Sequence, residues 1–268
     1  MWTYQHTDFY VHQLPALNDN YIYLIEAHHA PILAAVDPAE AQPVVDACKK
    51  LGRKLTHILN THHHWDHTGA NMELKQQYDC AIVGNRHDAE RIPCIDTGLE
   101  PDSSWQLATE GGDSHLDVQT IDVPGHTLGH IAYLIDDALF CGDTLFGAGC
   151  GRLFEGSPEQ MWHSLNRLAR LPASTLVYCA HEYTLANLDF AAAMDGDNPE
   201  LAARQQRDTA TRRQQQPTIP STIGVEKATN PFLRPLDAEF CRNYAERAGI
   251  ATEPLSVFTH VRASKDQW

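Results

Sequence analysis

The sequence predicts an α/β layered domain over residues 1–181 followed by a smaller helical domain over 182–268. Three observations point there. Through the first two-thirds, short apolar runs bounded by Gly, Pro, Asp or Asn alternate with helical patterns, as layered α/β domains require. Several of those runs end on a His or an Asp. Beyond about residue 182 the composition changes, with Ala, Gln and Arg dominating 201–216.

In chain order, strands are expected at 21–26, 31–36, 55–60, 81–83, 118–123, 131–135, 138–141 and 175–179, and helices at 43–51, 70–78 and 158–170. In the C-terminal part, "DNPELAARQQ" carries a helix start: Asn198 as cap, Pro199 at the first helical position, Glu200 in the first turn. "QQQPTIPSTIG" (214–224) reads as a Pro-punctuated extended loop. No internal repeat is visible.

The chain has 268 residues, 43% of them hydrophobic and 21% charged, enough for a sizeable core in one large or two modest domains. Twenty Lys and Arg against 35 Asp and Glu leave a net charge of -15. That balance repels polyanions, so neither nucleic acid nor an anionic membrane is an expected partner, and an anionic small substrate needs a local basic pocket. The start "MWTYQHTDFYVHQLP" lacks the basic and apolar regions of a signal peptide, and no apolar run reaches a membrane span. A cytoplasmic protein is expected, and a monomer, since no assembly helix or exposed apolar stripe is evident. Seven scattered cysteines without a CxxC pair fit reduced, buried thiols. Cys141 and Cys179 each lie two residues before a ligand candidate, and neither is expected to ligate.

The chemistry concentrates in "LTHILNTHHHWDH", where an apolar strand runs into His62, His64, Asp66 and His67. In extended backbone, residues two apart point the same way, so His62 and His64 can share one ion while His63 faces elsewhere. Asp66 and His67 begin a turn and can serve a second. Three further strands end on His126, Asp143 and His181. Each of these alone reads as a structural His or a turn Asp; together they make seven candidate ligands. That is too many for one tetrahedral ion with an open position and suits two ions sharing a carboxylate. Asp37, at another strand end, reads either as an outer partner of a ligand His or as a simple turn residue before Pro38.

The HxHxDH motif, followed by "GHTLGH", "GDTLF" and "AHEYT", resembles the metallo-β-lactamase superfamily, an αββα sandwich with a metal site at its edge. Within it, "GDTLFGAGCGRLFEG" (142–156), "HEYT" (181–184), "NPFLR" (230–234) and "RASKDQW" (262–268) resemble the glyoxalase II family, the hydroxyacylglutathione hydrolases, over essentially the whole chain. The resemblance implies His62, His64 and His126 on one metal, Asp66, His67 and His181 on the other, and Asp143 bridging. It implies two divalent ions, zinc first, with iron or manganese compatible with an N/O donor set. The implied reaction is hydrolysis of S-D-lactoylglutathione to glutathione and D-lactate, the second step of methylglyoxal detoxification. A metal-bridging hydroxide would be the nucleophile, with Asp66 and Asp143 as catalytic carboxylates. Arg152, Tyr183, Arg262 and Lys265 match positions that bind the glutathione moiety. Phe154 stands where other members have Tyr, and Arg152 where some have Lys. His130 is expected to be structural.

Four other readings compete. A related ester or lactone hydrolase would not need the basic C-terminal set, and a one-iron persulfide dioxygenase would not need Asp66 and His67. A nuclease is disfavoured by the acidic balance. A purely structural zinc module would present a closed, Cys-rich four-ligand site, which this is not.

Overall fold

A computed structural model describes residues 1–109, 111 and 114–268. The chain forms two compact units, Met1–Asp122 with Gly129–Gly142, and Val123–Leu128 with Asp143–Trp268.

In the first unit a seven-stranded sheet runs in chain order: β1 (Trp2–Gln5), β2 (Phe9–Ala16), β3 (Asn20–Ala27), β4 (Leu33–Val36), β5 (His57–Leu59), β6 (Ala81–Asn85) and β7 (Thr97–Leu99). The first four are antiparallel and the last pairings parallel. Between β4 and β5 lies α1 (Ala41–Leu51), closed by Gly52 in the left-handed conformation, the usual helix stop. Between β5 and β6 lie the short α2 (Trp65–Thr68) and α3 (Asn71–Tyr78). Val44, Val45, Cys48 and Leu74 from the helices pack with Leu14, Ile22, Leu24, Leu55, Ile58 and Ile82 from the sheet side. An antiparallel meander follows: β8 (Ser104–Ala108), β9 (His115–Asp122), β10 (Ile131–Ile135) and β11 (Ala138–Gly142). Tyr23 of β3 meets Phe140 of β11 edge to face at 5.7 Å. β3 is therefore buried on both faces, which explains its continuous apolar run "YIYLI".

The strands β1, β2, β7 and β8 were not expected from the pattern. In β2 the polarity of His12 and Gln13 hides burial. Both are under 4% exposed, with His12 paired to Glu26 at 2.9 Å and Gln13 accepting from the Tyr4 hydroxyl at 2.9 Å.

The second unit holds a small hairpin, β12 (Leu145–Phe146) and β13 (Gly149–Cys150), then α4 (Pro158–Ala169) and β14 (Leu176–Cys179). α4 begins with a reciprocal capping box between Ser157 and Gln160. Five further helices follow: α5 (Thr184–Met194), α6 (Pro199–Arg213), α7 (Ile223–Thr229), α8 (Ala238–Ala248) and α9 (Pro254–Asp266). Asn198 caps α6 through its side chain, as its sequence position predicts. The expected loop over 214–224 is only partly a loop. Ser221–Thr222 forms β15 against β14, and Thr222 caps α7. Between them, Arg204 of α6 is 1% exposed and ion-paired to Glu226 and Asp208. Glu226 in turn accepts from the Ala148 amide, and Asn230 donates to the Phe146 and Gly149 carbonyls. A buried charge network thereby fixes the hairpin that follows Asp143. Losing one partner there would leave an uncompensated buried charge, at a cost of ~3–5 kcal/mol.

Candidate metal centre

In the first unit, β5 ends at Leu59, the chain bends at Thr61 and His62, and His64, extended at φ -60° and ψ 147°, precedes α2. His62 and His67 are fully buried, and His62 Nε2 lies 3.1 Å from His64 Nδ1. Two imidazoles on one tetrahedral ion at ~2.0–2.1 Å would place their nitrogens about 3.3 Å apart. His63 turns away, its Nδ1 3.0 Å from Asp88. His67 stands beside His62, ring centroids 4.1 Å apart, and Asp66 accepts from Asn20 Nδ2 at 3.2 Å.

Asp37 sets the orientation of these rings. Its carboxylate is 4% exposed and accepts from the Thr61 amide at 2.8 Å, the Thr61 hydroxyl at 2.7 Å and His67 Nδ1 at 3.0 Å. Because the Thr61 hydroxyl proton points to Asp37, its oxygen accepts from His62 Nδ1, 3.1 Å away. One carboxylate therefore keeps the protons of both rings on Nδ1 and turns both Nε2 lone pairs to the ligand side. Asp37, His62 and His67 bring ligand-type atoms within 4.8 Å of one another. Of the two readings open for Asp37, the ring-orienting one is what the structure contains. His130, expected only to be structural, stacks on His62 at 4.6 Å and 17°. Gly142 is required beside them: at φ +47°, a Cβ there would fall 2.3 Å from Thr61 Oγ1 and 2.9 Å from the His130 ring.

In the second unit, His126 Nδ1 donates to the Arg152 carbonyl at 2.9 Å, which fixes its proton away from Nε2. That Nε2 lies 3.4 Å from Asp143 Oδ2, and His181 Nε2 lies 3.3 Å from Asp143 Oδ1. Each carboxylate oxygen thus faces its own imidazole. Gly151 is held against this group, since a Cβ there would meet the Asp143 carbonyl at 2.0 Å. Tyr183 stacks on His181 at 4.7 Å, and Phe154, 64% exposed, meets His126 edge to face at 5.2 Å. Cys179 is buried and donates its thiol to the His181 carbonyl at 3.6 Å, the behaviour of a neutral thiol.

The donor set, imidazole and carboxylate only, fits hard to borderline divalent ions, and the tautomers just described present the lone pairs such ions need. The cations expected to bind substrate also lie in the second unit. The Lys265 ammonium sits over the Phe190 ring at 4.9 Å. Burial, then the neighbouring Arg262 and Arg152 charges, hold its pKa below the ordinary lysine value. Three like charges this close suit an anion. Arg262 is more enclosed than its motif implies: 4% exposed, over the Phe232 ring, and donating to the Cys150 carbonyl and to Asp266. Motif reading alone left Thr61, Asn20, Glu226 and the contact made by His130 unassigned. Thr61 adjoins His62 and His130 lies in the "GHTLGH" motif, whereas Asn20 and Glu226 stand next to no candidate ligand and in no motif.

Residues 41–181 match the metallo-beta-lactamase superfamily, and residues 182–268 match the family described as hydroxyacylglutathione hydrolase C-terminus. A hydroxyacylglutathione hydrolase of Methylococcus capsulatus is 48% identical over 95% of this chain and 96% of its own length. One from Rhodospirillum rubrum is 47% identical over 96% of this chain and 98% of its own. Among solved structures, ETHE1 from Myxococcus xanthus superposes with a TM-score of 0.66 at 24% identity, covering 96% of this chain and 91% of that one. TTHA1623 in a di-iron-bound form gives 0.56 at 25% identity, covering 83% and 99%. The structural likeness establishes the α/β metallo-beta-lactamase fold. No helix among the described residues is long and apolar enough to cross a membrane. With identity near one half over nearly the full length of both chains, this chain belongs to the hydroxyacylglutathione hydrolase family of the metallo-beta-lactamase superfamily.

Proposed function

We propose that the chain is a thioester hydrolase that converts S-D-lactoylglutathione and water to glutathione and D-lactate, at a centre of two divalent ions. The observation that carries this reading is Asp143, whose two oxygens each face a different imidazole. His62, His64 and His126 would hold one ion and Asp66, His67 and His181 the other, with Asp143 common to both. Bound there, the ions would supply acidified water at neutral pH and polarise the thioester carbonyl. Zinc is the first choice for the donor set, with iron or manganese chemically admissible.

The chain's own residues do the rest. Asp37 and the Arg152 carbonyl keep protons off the ligand nitrogens, and the Asp66 and Asp143 carboxylates supply the negative charge of the centre. Arg152, Arg262 and Lys265 offer the positive field that a -15 protein otherwise lacks, matched to the two carboxylates of glutathione. Tyr183, stacked on His181, offers a phenol beside the same region. The leaving thiolate has a conjugate acid of pKa ~8.5, so no protein acid is needed to expel it. We place the enzyme in the cytoplasm as a monomer, with residues 1–181 carrying the metals and Arg152, and 182–268 the remaining glutathione contacts, Tyr183, Arg262 and Lys265.

The test is purification, metal quantification, and the loss of thioester absorbance with and without a chelator. Chelator-sensitive hydrolysis at about two metals per chain is the expected result. A fully metallated protein that leaves the thioester intact would sink the substrate assignment.

A further inference from the structure

One charged cluster in the first unit supplies no candidate ligand to the centre just described. A short 3-10 helix, Arg86–Asp88, follows β6 and ends on Asp88. Its carboxylate is fully buried, yet it is not in the core cluster beneath α1 and α3. It accepts from His63 Nδ1 at 3.0 Å, from His87 Nδ1 at 2.9 Å, and from the Arg91 guanidinium. Arg91 also reaches His63 Nε2 at 3.2 Å. An imidazole that gives its Nδ1 proton to Asp88 and accepts at Nε2 from Arg91 is neutral and fixed in one orientation. His63 is the residue between His62 and His64, so fixing it restrains the backbone from which both neighbours project.

The same carboxylate packs on a second segment. A Cβ added to Gly129 would lie 2.3 Å from Asp88 Oδ1, and Asn85, which opens the 3-10 helix, donates to the Gly129 carbonyl at 2.9 Å. Gly129 immediately precedes His130, the ring stacked on His62. Asp88 therefore grips His62 from two sides: through the backbone beside it, and through the ring that covers its face. Burial alone would push the Asp88 carboxyl up, but the donors His87, His63 and Arg91 outweigh it and hold it below the ordinary value, as an anion.

We propose that Asp88, with Arg91, is a positioning residue for the metal centre, acting on His62 and His64 through His63 and through Gly129–His130. This rests on the reading of His62 and His64 as ligands. Asp88→Asn keeps the shape of the side chain but turns an amide against fixed donors, so its hold on His63 is lost. Outer partners of ligand histidines are worth about 10–100-fold in metal affinity, and that range is expected here. His87 hydrogen-bonds the same carboxylate from an exposed position, and among the described residues its side chain makes no hydrogen bond to either segment, so it is the control for loss of a partner without loss of positioning.

The experiment compares wild type, Asp88→Asn, His63→Ala and His87→Ala as full-length proteins. Zn(II) dissociation is measured by chelator competition, and the visible absorption of the Co(II)-substituted proteins reports ligand geometry. Asp88→Asn and His63→Ala should bind zinc at least ~10-fold more weakly and show altered Co(II) bands. His87→Ala should stay within about twofold of wild type in zinc affinity, since the partner it removes has no link to the ligands. If Asp88→Asn does not fold, His63→Ala decides the matter, because it removes the link and leaves Asp88 with Arg91 and His87. Wild-type zinc affinity and Co(II) bands in folded His63→Ala overturn the proposal while leaving the metal centre intact. A wild-type protein that binds no metal overturns the centre and this proposal together.

Discussion

Replacing Asp37 by Asn changes one atom and should disarm one ligand. The Thr61 backbone N–H, 2.8 Å from Asp37 Oδ1, cannot reverse, so the amide oxygen of Asn must take that position. The amide NH2 then stands where Oδ2 was, against the Thr61 hydroxyl at 2.7 Å and His67 Nδ1 at 3.0 Å. The hydroxyl can turn; the imidazole cannot. His67 must either move its proton to Nε2, where a metal would bind, or keep it on Nδ1 facing another donor. The second choice leaves a buried N–H unsatisfied, at a cost of about 1–3 kcal/mol. At 1.4 kcal/mol per tenfold, that is about 5–150-fold in affinity for the ion on His67. The loss of the Thr61 proton acceptor adds a smaller effect at His62. The assay is metal stoichiometry and chelator competition on both proteins, with thermal melting of the metal-free forms. Two metals bound to Asp37→Asn with wild-type dissociation constants would refute the assignment of proton positions, and with it the role given to Asp37.

Gly151→Ala should cost at least ~1–3 kcal/mol of stability, because its Cβ would meet the Asp143 carbonyl, a backbone atom, at 2.0 Å; a melting temperature equal to wild type argues against the close approach. Lys265 should lose its proton below the ordinary lysine value, so KM for a glutathione thioester should rise on the alkaline side before pH ~10.4. Stability should move the other way: the unfolded chain binds this proton more tightly, so raising the pH through that window relieves the folded state. Parallel loss of binding and stability would contradict the assignment. Lys265→Ala should raise KM alone, whereas Arg262→Ala should also lower kcat and the melting temperature, since Arg262 holds the Cys150 carbonyl beside Arg152; a pure KM effect from Arg262→Ala would show that this bond is dispensable. Native alkylation should label Cys94, the one exposed cysteine, while the six buried thiols react only after unfolding; early labelling of Cys150 or Cys179 would mean the second unit opens readily.

The layered α/β class, the strands β3 to β6, β9 to β11 and β14, and the helix starts at Pro158 and Asn198 were legible because they rest on local chemistry: apolar runs, turn residues and caps that act over a few residues. The same holds for the candidate ligands, which end strands in a recognisable order. What the sequence could not carry were relations between residues far apart in the chain. β2 was hidden because His12 and Gln13 look exposed until Glu26 and Tyr4 are placed beside them. Asp37 could be a turn residue or a ring-orienting one, and only the 3.0 Å contact with a residue 30 positions away decided it. Arg262 was expected as a glutathione contact from its motif, and only the fold showed it buried against a carbonyl 112 residues earlier. Residue types and their spacing determined which groups were available for metal and thioester chemistry. Tertiary structure alone decided where each proton sits and which charges are buried, because hydrogen-bond partners and solvent exposure depend on distance in space, and pattern along the chain does not encode that distance.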